Sequence, residues 1–137
     1  MTKTIKTSAK ISRRNPWIAP ILFSIYFLLG IGAAAIDGSL LTLAALTFVL
    51  FALYIYYWFY KTKQEINSLG ADIPSFILIF IPIVNFFWFY KYAQGVVKFL
   101  KKGDGPVLWF FFTLFLMPIA AYFIQKKLNS YATLNKL

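Results

Sequence analysis

Four apolar runs, at about 17–36, 40–60, 73–92 and 106–125, divide the chain, and each is bounded by polar or basic residues. Each reaches or approaches the roughly 18 to 20 residues that a helix needs to cross the hydrocarbon core of a bilayer. The first two contain no charge and predict two full transmembrane helices. The other two are interrupted near their middles by Pro82 and Pro118. Proline removes a helical hydrogen bond and clashes with the preceding turn, so these segments are either re-entrant hairpins or kinked spans. The expected fold is an all-α membrane protein with both termini cytoplasmic, made of a basic arm (1–15) and one helical membrane domain (16–137).

The polar positions set the orientation. The arm carries Lys3, Lys6, Lys10, Arg13 and Arg14 and no acid. Asp37-Gly38-Ser39 is the one loop without a basic residue, which places it outside and the N-terminus inside. Lys61 and Lys63 then follow the second run on the cytoplasmic side. If every run crosses, the stretch with Lys91, Lys98, Lys101 and Lys102 faces outward, against that rule. The tetrapeptide Trp-Phe-Tyr-Lys occurs at both 58–61 and 88–91, and the last run closes similarly in Tyr122-Phe123-Ile124-Gln125-Lys126-Lys127. A further echo pairs Glu65-Ile66-Asn67 with Lys127-Leu128-Asn129. Like endings belong at like depths, which favours two segments that return to the side they left. All fourteen basic residues are then cytoplasmic. Against this, irregular backbone at membrane depth must be buried in protein or line a wet cavity. Four spans and two hairpins both stay open.

Composition agrees with a membrane protein: 61% of residues are hydrophobic and 21% aromatic, far beyond what a soluble chain of 137 residues hides. The net charge of +10 could mark a nucleic-acid binder. However, every Lys and Arg except Lys91, at the end of the third run, lies outside the apolar runs, so anionic headgroups are the expected partner and nucleic acid is not. The first run resembles a signal peptide, but its apolar core exceeds the usual 7 to 15 residues and it reads as a retained span. Cysteine and histidine are absent, removing the usual ligands of haem, iron–sulfur and zinc sites and any Cys or His nucleophile or base. No cofactor and no metal are expected, and no enzyme. The four acids, Asp37, Glu65, Asp72 and Asp104, all lie outside the apolar runs. Ion-coupled transport, which keeps costly intramembrane acids, is therefore disfavoured.

Pro82, Asn85 and Pro118 are candidate helix breaks or partner contacts. Asn85 either satisfies a carbonyl freed by Pro82 or caps the helix that follows; the functional alternative is a ligand contact at a broken helix. Trp17, Trp58, Tyr60, Trp88, Tyr90 and Trp109 are expected as interfacial anchors, with an aromatic cage for a quaternary ammonium group as the alternative. The arm's basic residues, with Lys98, Lys101 and Lys102, are expected to contact lipid headgroups or a partner. Val96, Val97, Phe99 and Leu100 would form the apolar face of that amphipathic stretch.

The series Tyr57-Trp58-Phe59-Tyr60-Lys61, Glu65-Ile66-Asn67, Ile81-Pro82-Ile83-Val84-Asn85, Trp88-Phe89-Tyr90-Lys91 and Ile124-Gln125-Lys126-Lys127-Leu128-Asn129 resembles a prokaryotic family catalogued as domain of unknown function 4234. The likeness covers about 41–129. It implies a small integral protein of a bacterial or archaeal cytoplasmic membrane, with no activity or catalytic residue to carry over. The expected role is an accessory or scaffold subunit of a larger membrane complex, associating with other membrane subunits or with itself. A permease or channel-like protein with a midplane break at Pro82, Asn85 and Pro118 is the alternative. A hairpin protein that shapes the bilayer is a third.

Overall fold

The computed structural model describes residues 11–36, 38–100, 103 and 105–134. Among these the fold is all helical, with no strand. The elements are α1 (Ile18–Ala35), α2 (Leu40–Ser68), a short 3-10 helix (Phe76–Phe80), α3 (Val84–Leu100), α4 (Pro106–Phe115) and α5 (Met117–Leu134). Both α1 and α2 are long and apolar enough to cross a membrane. They pack along each other as a helical hairpin, and their aromatic faces meet through Phe23–Phe51 and Tyr26–Phe48. At about 1.5 Å per residue, α2 is some 43 Å long, well over the roughly 30 Å of a hydrocarbon core. Its last two turns, beyond Lys61, extend past its apolar stretch.

The third apolar run is not a helix with a kink. After Gly70, whose φ of +99° ends α2 in the left-handed region that glycine tolerates, the chain runs extended and enters the 3-10 helix. It then reverses at Ile81-Pro82-Ile83 and returns as α3. At the tip Ile83 takes a φ of +69°, a conformation rare for a β-branched residue. The reversal brings the two ends of the segment together. A Cβ added to Gly95, near the end of α3, would meet Ile73 Cδ1 and Cγ1 at 2.8 Å. The indole of Trp88 donates to the carbonyl of Pro74 at 3.2 Å, and Lys98 Nζ to that of Gly70 at 2.6 Å.

The fourth run reverses too. The axes of α4 and α5 differ in direction by 120° at a break beside Leu116. Pro118 sits in the first turn of α5, where its missing N–H costs nothing. Ten residues make α4 only about 15 Å long, half of a hydrocarbon core.

The core lies where α2, α3 and α5 run side by side toward one end. The two Trp-Phe-Tyr-Lys repeats pack against each other there: Phe59 makes edge contacts with Trp88, Phe89 and Tyr92. Trp58, Trp88 and Tyr92 are fully buried with Ile66, Ile124 and Leu128. By contrast, the buried residues of α1 and α2 outside this end are few, and Leu28, Leu41, Leu46 and Leu53 are exposed. The α1–α2 hairpin therefore projects beyond the packed body.

Candidate functional site: a polar latch and two cavities

At the packed end, α2, α5 and the arm supply one connected polar network. Residues 11–15 are extended rather than helical, with Ile11 buried in the core. Arg14 forms an ion pair with Glu65 of α2, and both side chains are nearly buried, at 11% and 6% exposed. The Ser12 N–H donates to the other Glu65 oxygen at 3.1 Å. Gln125 of α5 accepts at Oε1 from Arg14 Nε (3.1 Å) and from the Trp58 indole (3.0 Å). Its amide nitrogen donates to Asn129 at 2.9 Å. Arg13 donates to the Thr133 hydroxyl. Burial pushes the Glu65 carboxyl up, while Arg14, the Ser12 N–H and Lys61 pull it part of the way back down.

Two asparagines do the same work at two places. Asn67 grips the backbone of Ile73 on both sides: its amide donates to the Ile73 carbonyl (2.9 Å) and its Oδ1 accepts the Ile73 N–H (2.8 Å). Asn129 grips Arg14 in the same way, at 2.6 and 3.1 Å. Ile73 directly precedes Pro74, and Arg14 stands two residues before Pro16, each in a segment that leads into a helix. The shared Asn of Glu65-Ile66-Asn67 and Lys127-Leu128-Asn129 thus has a physical cause. A side-chain amide carries a donor and an acceptor side by side, so it can pair at once with the N–H and C=O of one residue. Below these clamps the Thr62 hydroxyl and Tyr92 OH are 2.7 Å apart in the core, with Thr62 also reaching the Trp58 carbonyl at 2.9 Å.

No family model matches the chain, and no curated protein or solved structure is found similar to it. What it can do is read from its own geometry.

Several expectations change. Trp58, Trp88 and Trp109 are buried, at 2%, 0% and 7% exposed, and are not lipid-facing anchors. The aromatic density that marks a membrane interface also makes an efficient core, and here the packed end takes it. Trp17 and Tyr60 are exposed, and Tyr90 is half-buried against Phe110. Arg14 does not reach for lipid, because Glu65 and Gln125 hold it inside. Asn85 Oδ1 is buried without a partner, so it does not cap α3. Asp72 is exposed while Glu65 is buried against Arg14, so the two acids form no pair. Lys3, Lys6, Lys10, Lys101 and Lys102, with Asp37 and Asp104, lie outside the described residues. Among the described residues no group of three metal-binding acids, cysteines or histidines gathers.

Two cavities adjoin the body. One, of about 350 Å³, lies where the hairpin tips approach α1 and α2; Asn85, Thr113 and Pro118 line it together with Phe51, Ile79 and Met117. Asn85 and Pro118 therefore meet, while Pro82 is not part of the lining. The other, of about 490 Å³, is a groove among the end of α3, α4 and α5.

Proposed function

We propose that the protein is a non-enzymatic multi-pass protein of a bacterial or archaeal cytoplasmic membrane, and that it serves as a scaffold or accessory subunit. In this reading α1 and α2 span the bilayer, and the 3-10 helix–α3 and α4–α5 pairs are re-entrant hairpins hung from the cytoplasmic side. The short α4, and the contact of Ile73 with Gly95, support hairpins over four spans. Every basic residue then stays at one surface, as the positive-inside bias favours.

The observation that carries the functional reading is where the polar chemistry goes. Arg14, Glu65, Gln125, Asn67 and Asn129 are spent on the chain's own backbone and on one another. What faces outward is apolar helix surface with a basic rim. Such surface on α1 and α2 suits contact with partner helices, where close packing rather than hydrophobicity drives association. A photocrosslinking residue in place of Phe27 or Leu53, both exposed, should give discrete protein adducts in the native membrane. Lipid adducts alone at both positions would reject the scaffold role.

A second reading is favoured by the cavity at Asn85. A buried amide oxygen without a partner beside a half-helix start is a feature of broken-helix transport sites. Asn85→Cys would react with a water-soluble thiol reagent if that cavity takes water, and the chain's lack of native cysteine leaves no background.

A further inference from the structure

We propose that the groove between α4 and α5 binds one acyl chain of an anionic lipid, whose headgroup sits on Lys126 and Lys127. This rests on the hairpin reading, which puts the open end of the α4–α5 pair at the cytoplasmic headgroups.

The groove is polarised along its length. Leu108, Trp109, Phe112 and Phe123 form its apolar wall, and Lys126, Lys127 and Ser130 its polar mouth farther along α5. From Phe123 to Ser130, α5 climbs about 10 Å at 1.5 Å per residue. Apolar wall and basic mouth are thus separated in the direction that separates a lipid's tail from its head. Both lysines are exposed, and among the described residues neither has a carboxylate partner; the ion pair there is Arg14–Glu65. Their stems are steadied by rings instead: Lys126 Nζ lies 5.8 Å from the centre of Tyr122, and Lys127 Nζ 5.6 Å from that of Tyr131. Ser130 spends its proton on the Lys127 carbonyl, so the mouth's free donors are the two ammonium groups, with the unpartnered Trp109 indole N–H in the apolar wall. Donors without acceptors in a pair call for an anion.

The size fits a chain and not a helix. A volume of about 490 Å³ falls within the range of small-ligand sites, whereas a partner helix is 10–12 Å across with its side chains. The apolar lining adds no preference among lipids, because a tail outside the groove is already in hydrocarbon. Selectivity therefore comes from the headgroup. Each basic residue near an anionic surface is worth about a fivefold enrichment, so two give roughly 25-fold over a zwitterionic lipid, which brings its own cation to the lysines.

The test uses the full chain in nanodiscs of equal phosphatidylglycerol and phosphatidylcholine, with the retained lipid counted by native mass spectrometry. One phosphatidylglycerol should be held, enriched by roughly 25-fold. Lys126→Gln/Lys127→Gln, two exposed positions that leave the core intact, should bring the enrichment down to about that of bulk lipid. Leu108→Trp, which fills the groove and keeps both charges, should abolish retention; Ser130→Trp does the same from the mouth if Leu108→Trp does not fold. Lys61→Gln/Lys63→Gln should change nothing. Unchanged enrichment in the Lys126/Lys127 variant overturns the proposal, as does equal loss in the Lys61/Lys63 variant, which would mean diffuse attraction only. Failure here with the α1 and α2 crosslinks intact removes the lipid site alone. Success here with those crosslinks absent removes the scaffold role alone.

Discussion

Removing Glu65 should release the N-terminal arm. In the closed state Arg14 is only 11% exposed, and its charge is met by the Glu65 carboxylate. Glu65→Ala leaves that guanidinium buried with Gln125 as its remaining partner, and also strips the Ser12 N–H of its acceptor. Breaking a buried pair from one side costs about 3–5 kcal/mol. The low end applies, because the arm can swing out and rehydrate Arg14. About 3 kcal/mol is a roughly 150-fold rise in the fraction of open arm. Limited trypsin digestion in nanodiscs reads that fraction, since cleavage tracks the open population when opening is fast. The N-terminal fragments ending at Arg13 and Arg14 should appear about a hundredfold faster in the variant. Arg14→Met/Glu65→Met, read at Arg13, should return most of the protection, because an apolar pair of similar volume carries no stranded charge. Equal cleavage of Glu65→Ala and wild type would refute the latch. Equal cleavage of the two variants would show that something other than the stranded charge holds the arm.

Other outcomes follow from single contacts. Asn129→Ala removes both bonds to the Arg14 backbone, about 2 kcal/mol and a roughly 30-fold faster cleavage in the same digestion. Asn67→Ala should cost a similar ~2 kcal/mol, but at the other clamp, seen as faster amide exchange at Ile73 with the arm unaffected. Gly95→Ala puts a methyl against buried Ile73 and should destabilise the 3-10 helix–α3 hairpin by about 1–3 kcal/mol in thermal unfolding. Ile83→Gly, at the φ of +69°, should instead stabilise by about 1 kcal/mol by the same measure. A thiol at Gly103 should be labelled from the side opposite a thiol at Ser39; labelling from the same side would restore four spans.

Much of the architecture was legible because it depends on segment composition. Two uncharged runs gave two long helices, and the proline-broken runs gave two reversals. The repeated Trp-Phe-Tyr-Lys correctly put 58–61 and 88–91 at one level, since those residues touch. What the repeat did not reveal was which way the rings face. An interfacial belt and a buried core draw on the same residues, and only the packing of α3 and α5 against α2 decides between them. Arg14 reads as one more basic flank until Glu65, 51 residues away, is brought beside it. The asparagine clamps did leave a trace, the shared Asn of the two echoing tripeptides. Its meaning requires knowing which backbone segment will lie alongside.

The latch joins the two extremes of the chain. Arg13 and Arg14 meet Gln125, Asn129 and Thr133 across 111 to 120 residues. During synthesis α1 and α2 are made well before α5, so the arm that precedes α1 has Glu65 to hold it but waits for its α5 partners. A chain stopped short of Gln125 lacks the α5 half of the latch and holds its arm through Glu65 alone. Full closure of the arm thus reports that α5 has been made and packed, and the accessibility of Arg13 and Arg14 reads it out.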